Sequence, residues 1–315
     1  MNRATLGLQG LQLILCVAAA PLLIGWVGLC RAWFANRSGA GVLQPYRVLK
    51  KLFAKTPVVA HDASPLFLAT PYIIFAATAL AGASVPMISA ARPLTDAADV
   101  ITLAGLFILT RIFTALAAMD IGTAFGSMGA RREMLVGFLA EPALLMVLFT
   151  PALISHSTSL TVIVQHLTAS SPILYPSMAF AAAAYVMVLL AENGRIPIDN
   201  PGTHLELTMI HEALNLEYSG RYLALIEWTT AMKLFVYMSI GVALFIPWGI
   251  PRHGGLAHLP WALVLFCAKL CIGGIALAFL ETILAKMRLF RVPEFLGTAF
   301  MLAVLGLLLR FLLRR

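Results

Sequence analysis

The sequence predicts an all-α, polytopic membrane protein with about eight transmembrane helices and partly helical cytoplasmic loops. Hydrophobic residues make up 61% of the chain and charged residues only 11%, with a mean hydropathy of +0.91. A soluble domain usually carries about 25% charged residues. The apolar stretches reach or approach the ~20 residues that a helix needs to cross a bilayer. Residues 1–315 are therefore interpreted as a single transmembrane helical domain.

Eight apolar stretches account for most of the chain, and they are too long and too uniformly apolar for barrel strands. The predicted spans are residues 11–30, 66–90, 99–119, 134–154, 172–191, 223–247, 260–280 and 296–313. No internal sequence repeat is apparent, so an inverted-repeat transporter is not indicated.

Lysine and arginine are distributed unevenly among the loops. The loops after spans one, three, five and seven hold 13 of the 22 cations, whereas the other loops and both termini hold 6. Positive charge is retained in the cytoplasm, so the first set of loops is predicted to be cytoplasmic and both termini are predicted to lie outside. Membrane topology thus explains the net charge of +8, and nucleic-acid binding is not predicted.

Loop one, residues 31–65, carries six of these cations. A basic helix at the membrane surface that binds lipid headgroups would explain the charge. Gly39, Gly41 and Pro45 specify a shaped turn that lipid binding alone does not require. These residues favour a docking surface for a partner protein, with lipid binding as the alternative.

Several ionisable residues fall within or at the ends of the spans. They are Arg111, Glu141, Glu192, Glu227, Lys233, Lys269 and Glu281. A charge that faces lipid costs at least a few kcal/mol, so these side chains are predicted to face the bundle and to pair. Each of the two lysines is expected to have a carboxylate or a water-filled path within the bundle, and the candidate partners are Glu141, Glu227 and Glu281. The arrangement suggests a hydrated charge path, and fixed buried salt bridges are the alternative.

Loop five, residues 192–222, gathers over a third of the 14 acidic residues of the chain. These carboxylates are Glu192, Asp199, Glu206, Glu212 and Glu217. The stretch "GRIPIDNPG" contains helix breakers, and a helix is predicted from about Thr203. Glu206 and Glu217 would then share one helix face, with Glu212 off it. Carboxylates in a poorly hydrated place can pass protons. The alternative is a solvated loop.

No metal or cofactor site is predicted in this chain. His204 and His211 lie seven residues apart but lack a third ligand. The four cysteines occur in or beside apolar stretches without a CxxC motif or a second pair, so apolar packing is the interpretation. They are Cys16, Cys30, Cys267 and Cys271.

Two segments carry a resemblance to a known family. "AENGRIPIDNP", followed by Glu206-Leu207 and by "EYSG" at 217–220, resembles the long cytoplasmic loop of the quinone-channel membrane subunit of respiratory complex I, the NADH dehydrogenase. "NRSGAGVLQPYRVLKKL", which contains Arg37 and Gln44, resembles the first loop of that family. The direct matches in the loop are Glu192, Arg195, Asp199, Glu206 and Glu217, and Glu141 matches a membrane glutamate of the family.

Departures from that pattern narrow the resemblance. Gly202 and His204 stand where complex I subunits usually have Glu, and the segment "TMIHEALNL" before Glu217 is longer. The stretches "NPGTHLELTMIHEALNLEYSGRYLALIEW" and "LAKMRLFRVPEFL" look more like the related subunit of membrane-bound group 4 [NiFe] hydrogenases, the hydrogenase-4 component C and formate hydrogenlyase subunit 4 type.

The resemblance implies a non-catalytic anchor and coupling subunit in the cytoplasmic membrane of a prokaryote. Its implied partners are the large and small soluble hydrogenase subunits, antiporter-like membrane subunits and lipids. The nickel–iron centre and the iron–sulfur clusters would belong to the partners. Arg37, Gln44, Arg195 and Arg221 are the expected docking or structural residues, and the carboxylates and lysines of the spans and of loop five are the expected coupling path.

Two other functions remain open at this stage. One is a quinone-channel subunit of a respiratory NADH dehydrogenase, although the altered acidic residues of loop five argue against quinone binding. The other is a stand-alone ion transporter, which would require broken helices around a midplane site and would need no large docking face.

Overall fold

The computed structural model describes residues 3–89, 99–169, 175–199, 210–250, 259–285, 287 and 291–312. In this part of the chain there are eleven α-helices and no β-strand, apart from one isolated bridge between Asp99 and Ser159. The helices are α1 Arg3–Phe34, α2 Gln44–Phe53, α3 Pro65–Ser84, α4 Val100–Asp120, α5 Ala124–Ser155, α6 Leu160–Ala169, α7 Pro176–Glu192, α8 His211–Asn215, α9 Gly220–Phe245, α10 Leu259–Ile283 and α11 Val292–Leu312.

The predicted number of spans is confirmed. Seven helices of the described part are long and apolar enough to cross a membrane, namely α1, α3, α4, α5, α9, α10 and α11. The remaining predicted span, residues 172–191, corresponds to α7, which is apolar but has 17 residues. The protein is therefore a multi-pass membrane protein. The short helices α2, α6 and α8 lie outside the predicted spans.

Helix α5 differs most from the prediction, because it begins ten residues before the predicted start of span four. Thr123 precedes the helix, and its side-chain hydroxyl accepts a hydrogen bond from the backbone N–H of Gly126. The segment expected to form loop three is thus mostly helical. The apolar run is interrupted by Arg131, Arg132 and Glu133, so hydropathy placed these residues in a loop, but nothing in the segment breaks a helix.

The spans alternate in direction, and contacts between their ends show which loops lie together. The backbone N–H of Ser64, before α3, donates to Asp120 Oδ2 at the end of α4 (2.9 Å). Arg195, just after α7, contacts Glu281 near the end of α10. We call the side at which α1, α4, α7 and α10 end the site side. Loops one, three, five and seven all lie there.

The main hydrophobic core contains residues of all the spans and of α6, and α9 contributes the longest run of them. Tyr237 on α9 is fully buried and stacks on Phe107 of α4, with ring centroids 4.6 Å apart. The hydroxyl of Tyr185 on α7 donates to the backbone carbonyl of Tyr237 (2.6 Å). These contacts hold α4, α7 and α9 in register, and the same three helices carry the charges described next.

Candidate functional site

A single guanidinium, that of Arg111 on α4, binds three carboxylates inside the bundle. Its Nε donates to Glu133 Oε1 (3.1 Å) and its Nη2 to Glu192 Oε1 (2.5 Å), while its Nη1 contacts Glu141. The Arg111 side chain is 3% exposed, and those of Glu133 and Glu192 are 5% and 2% exposed. The predicted inward pairing of Arg111, Glu141 and Glu192 is therefore confirmed. We call Arg111, Glu133, Glu141 and Glu192 the Arg111 cluster.

The spacing on α5 explains how the helix accommodates the guanidinium. Glu133, Gly137 and Glu141 follow one another at intervals of four residues and so share one helix face. A Cβ atom at Gly137 would lie 2.5–2.7 Å from three atoms of the Arg111 side chain. Glycine at this position leaves space for Arg111 between the two carboxylates.

Two further cations or potential cations contact the Arg111 cluster. Lys233 Nζ on α9 lies 3.0 Å from Glu192 Oε2. His211 Nδ1, at the start of α8, lies 3.3 Å from Glu133 Oε2. The partner of Lys233 is thus Glu192 and not Glu141, Glu227 or Glu281 as expected from the sequence. Contacts among α4, α5, α7, α9 and the short helix α8 therefore hold the charged side chains of the cluster in place.

A second buried carboxylate lies on the same side of the bundle. The Glu281 side chain is 1% exposed, and its Oε1 lies 3.1 Å from Arg195 Nη1. Its Oε2 lies 3.7 Å from Arg31 Nη1, whose side chain is 49% exposed. Glu281 therefore joins the end of α10 to the ends of α1 and α7. Arg195, which matches the family pattern in loop five, therefore links the segment after α7 to the end of α10.

A cavity of about 290 Å³ opens between these two charged groups on the site side. Threonines, asparagines and several isoleucines line it. Its charged lining residues are Arg111, Glu133 and Lys233 from the first group, Arg31, Arg195 and Glu281 from the second, and Asp199, Glu212 and Glu227. The charged part of this lining can hold water. The cavity lies between three parts of the chain: the segment that follows α7, helix α8 and the Arg111 cluster. A change of charge on one lining residue therefore acts on the other lining residues at short range and with little screening by salt.

Asp199 organises the described part of loop five. It is 3% exposed, and its Oδ2 accepts hydrogen bonds from the backbone N–H groups of Ile210 (3.0 Å) and His211 (3.3 Å). This carboxylate therefore holds the start of α8 beside the end of α7. A role for Asp199 in proton transfer stays a prediction.

The expected line of carboxylates on one loop-five helix is not present in the described residues. Glu206 lies outside them. Helix α8 ends at Asn215, and Glu217 follows in a turn, so the predicted continuous helix through Glu217 is wrong. The turn at 216–217 ends the helix before the residue that would complete the face. Glu212 and Glu217 are both exposed, but only Glu212, which was expected to lie off the shared face, lines the cavity.

The "EYSG" segment joins loop five to loop one. The hydroxyl of Ser219 accepts from the backbone N–H of Val58 and donates to its carbonyl, both at 2.7 Å. Tyr218 stacks on Phe67, and its hydroxyl donates to the Phe67 carbonyl (3.0 Å). Burial, together with the nearby Asp120 carboxylate, raises the pKa of the Tyr218 hydroxyl, which therefore stays protonated as a donor. The motif that carried the resemblance is thus a structural junction between the two loops.

Three of the four residues expected to dock a partner lie at the surface of the site side, whereas Arg195 is partly buried against Glu281. Arg37 is exposed in loop one, and Gln44 is exposed at the first residue of α2. Arg221 is exposed, with its guanidinium carbon 5.1 Å from the centre of the Tyr222 ring. Helix α2 buries Leu49 and exposes its basic residues. This arrangement suits a protein partner or lipid headgroups, and docking stays a prediction.

Lys269 lies apart from the Arg111 cluster, and its partners in the described part of the chain are backbone carbonyls and not the candidate carboxylates Glu141, Glu227 and Glu281. Its ammonium donates to the backbone carbonyl of Ile246 (2.7 Å) and also to that of Trp248. These carbonyls follow the last residue of α9, where a cation stabilises the negative end of the helix dipole. Carbonyl oxygens therefore compensate its charge.

Sequence reasoning missed Glu133 and considered His211 only as a metal ligand. The signal that could have identified Glu133 is its four-residue spacing from Gly137 and Glu141. Within the described ranges, no group of three or more His, Cys, Asp or Glu side chains has a metal-binding arrangement.

Comparisons with known proteins agree on the relationship of this chain. A family model described as NADH dehydrogenase matches residues 8–311. Formate hydrogenlyase subunit 4 of Escherichia coli (strain K12) is 33% identical over 301 residues, which cover 94% of this chain and 95% of that protein. Hydrogenase-4 component C of the same organism is 31% identical over 297 residues, covering 94% and 92%.

The fold is also found in a solved structure of the membrane-bound sulfane sulfur reductase (MBS), an archaeal respiratory membrane complex. One chain of that structure superposes with a TM-score of 0.82 and covers 96% of this chain and 98% of its own length. The sequence identity is 20%, so this likeness shows a common fold alone.

Proposed function

The chain belongs to the NADH dehydrogenase family, and from this membership we propose that it is the membrane anchor and coupling subunit of a complex I-like, membrane-bound [NiFe] hydrogenase. Two relatives are named as components of formate hydrogenlyase and of hydrogenase-4, and both alignments span more than nine-tenths of each chain. This near-complete coverage supports a relationship of the whole subunit.

The observation that carries the coupling role is the Arg111 cluster and its connection to the site-side cavity. Three carboxylates and two cations lie within α4, α5, α7 and α9, and they communicate with α8 through the contact between Glu133 and His211. Simple anchoring would require only apolar spans. A buried cluster of this kind costs free energy to assemble, and polar groups inside a membrane usually mark ion or proton pathways.

In this proposal the site side faces the cytoplasm, and the large and small hydrogenase subunits dock over loops one and five. Those partners hold the nickel–iron centre and the iron–sulfur clusters, and this chain holds no redox group. A change of charge in the docked module alters the protonation of groups around the cavity. The Arg111 cluster then transmits that change to neighbouring antiporter-like membrane subunits.

Co-purification tests the proposal most directly. We expect an affinity-tagged chain, solubilised in mild detergent, to bring down a hydrogenase large subunit with hydrogen-dependent dye-reducing activity. Deletion of the chain should move that activity from the membrane fraction to the soluble fraction. A large subunit that neither co-purifies with the chain nor needs it to remain on the membrane would refute the anchor role.

Cysteine labelling tests the orientation. In membranes that lack the soluble hydrogenase subunits, a cysteine introduced at exposed Arg37 should react with an impermeant reagent only in inside-out vesicles if the site side is cytoplasmic. Reaction in right-side-out vesicles alone would reverse the proposed orientation.

A second cavity supports the alternative of a quinone-channel subunit. It measures about 370 Å³ and lies between α1, α2 and α9, with mostly apolar walls that include Gly25, Leu29 and Leu49. Arg31 and Glu227 line both this cavity and the first one. An amphipathic molecule with a long apolar tail would suit this space. Stoichiometric quinone extracted from the purified complex would favour this alternative, and its absence would favour the hydrogenase.

A further inference from the structure

His211 occupies the boundary between loop five and the Arg111 cluster. On the loop side, the Asp199 carboxylate accepts a hydrogen bond from its backbone N–H (3.3 Å). On the cluster side, its Nδ1 lies 3.3 Å from Glu133 Oε2. Gly194, with φ of +55°, lies against the imidazole, because a Cβ atom there would be 3.0 Å from the ring. Helix α5 and the segment after α7 therefore both contact His211.

The contact between His211 Nδ1 and Glu133 Oε2 becomes a hydrogen bond only when Nδ1 carries a hydrogen. Within the described part of the structure, both ring nitrogens and Glu133 Oε2 are buried atoms without a hydrogen-bond partner. A proton on Nδ1 that pointed at Oε2 would satisfy two of these atoms at once. Buried polar atoms without partners are costly, so the geometry favours a hydrogen on Nδ1, which both the neutral Nδ1–H tautomer and the imidazolium carry.

The charges around His211 and Glu133 favour the imidazolium. The Arg111 cluster together with Lys233 contains two cations and three carboxylates, which leaves one negative charge in excess when every group is ionised. The charged side chains that line the cavity around His211 are Arg31, Arg111, Glu133, Arg195, Asp199, Glu212, Glu227, Lys233 and Glu281. Carboxylates outnumber cations in this set as well. An imidazolium at position 211 would reduce the excess in both.

We propose that His211 is the proton-accepting group through which loop five sets the charge of the Arg111 cluster. Histidine is the side chain whose charge ordinarily changes near neutral pH. Uptake of one proton from the aqueous phase converts the neutral ring to the imidazolium, which has a hydrogen on both nitrogens, forms an ion pair with Glu133 through Nδ1 and neutralises the cluster. Loss of the proton removes the positive charge of the ring and restores the negative charge of the cluster. His211 is a positioning and proton-accepting residue, and its use in coupling rests on the proposed function.

The link to Asp199 makes this protonation responsive to loop five. Asp199 lies at one end of segment 200–209, and Ile210, whose backbone N–H also binds Asp199 Oδ2, lies at the other end. A partner that displaced either end would shift the backbone of His211 and change the distance from its ring to Glu133. Docking and protonation are therefore linked, and each alters the equilibrium of the other.

Nuclear magnetic resonance of the ¹⁵N-histidine-labelled complex in bilayers tests protonation without reference to hydrogen turnover. The chain has 7 histidines. We expect the ¹⁵N signals of one histidine to change from the neutral to the protonated form as the pH is varied, to vanish in His211→Gln, and to differ in Glu133→Gln because the ring has lost its anionic partner. If His211→Gln fails to accumulate, the signal that moves in Glu133→Gln identifies the residue. A histidine spectrum that Glu133→Gln leaves unchanged overturns the proposal.

Vesicles that contain the complex test the coupling role, with the ratio of ions moved to hydrogen turned over as the readout. His211→Gln should lower this ratio roughly tenfold, within the usual range of coupling between sites, and should flatten its pH profile. His61→Gln is the matched control, because His61 is exposed in loop one on the same side. An unchanged ratio in His211→Gln overturns the coupling role. A wild-type complex without hydrogen turnover refutes the proposed function instead, and the titration still decides the protonation of His211.

Discussion

Replacing Arg111 by methionine tests whether the Arg111 cluster holds the bundle together. Methionine fills similar space but has no charge, and the change leaves Glu133, Glu141 and Glu192 without their common partner. The chain should still insert, since α4 becomes more apolar. The expected consequence is loss of the packed arrangement of α4 against α5 and α7.

The magnitude follows from the exposure of each carboxylate and from the contacts that remain. Glu192 keeps Lys233 at 3.0 Å, Glu133 keeps His211 at 3.3 Å, and the Glu141 side chain is 26% exposed, so solvent screens part of its charge. We therefore count the loss as that of one buried pair, about 3–5 kcal/mol. At about 1.4 kcal/mol per factor of ten, the ratio of folded to unfolded subunit falls roughly 10²- to 10⁴-fold.

The assay is the amount of the chain in membranes, together with the temperature at which the detergent-solubilised complex loses it. Arg111→Lys should fall between wild type and Arg111→Met, because an ammonium keeps the charge but lacks the fork that reaches three carboxylates. Arg131→Met is the matched control, since Arg131 is exposed on α5 of the same side. If Arg111→Met accumulates and melts like Arg131→Met, the cluster does not stabilise the bundle and the reasoning fails.

Three more substitutions separate packing, charge and helix-end contacts. Gly137→Ala should displace the Arg111 guanidinium without removing charge. We expect a near-normal amount of the subunit in membranes but fewer ions moved per hydrogen turned over. A normal ratio would show that the packing of Arg111 against Gly137 is not needed. Glu212→Gln should reduce ion movement in vesicles more than Glu217→Gln, because only the former lines the cavity; the reverse order would support the sequence-based ranking. Lys269→Met should lower the melting temperature of the complex modestly, by removing an interaction of about 1 kcal/mol at the end of α9, and should leave the coupling ratio unchanged; a lowered ratio would place Lys269 in the ion path.

The sequence was sufficient for the spans and for the inward placement of most buried charges. Apolar length alone identifies a membrane helix, and an ionisable residue within one must find compensation. These two rules placed Arg111, Glu141, Glu192 and Glu281 inside the bundle, as the structure confirms.

The sequence was insufficient where the answer depends on helix phase or on a distant backbone group. Hydropathy placed Glu133 in a loop because it counts polar residues and cannot detect that the backbone remains helical. The pairing of Lys269 depends on carbonyls more than twenty residues away in another segment, and no side-chain pattern reveals free carbonyls. The face shared by Glu206 and Glu217 was inferred from helical spacing, which stops applying where α8 ends at Asn215.

The three-helix attachment of Arg111 also constrains the order in which the chain enters the membrane during synthesis. Helix α4 emerges first, and an arginine near the centre of a lone inserted helix costs about 2.5–3.5 kcal/mol. Glu133 and Glu141 follow 22 and 30 residues later, whereas Glu192 follows only after 81 residues. The α4–α5 hairpin is therefore the smallest unit in which the charge of Arg111 is compensated. The insertion machinery must retain α4 until α5 arrives, and α7 completes a hairpin that is already neutralised.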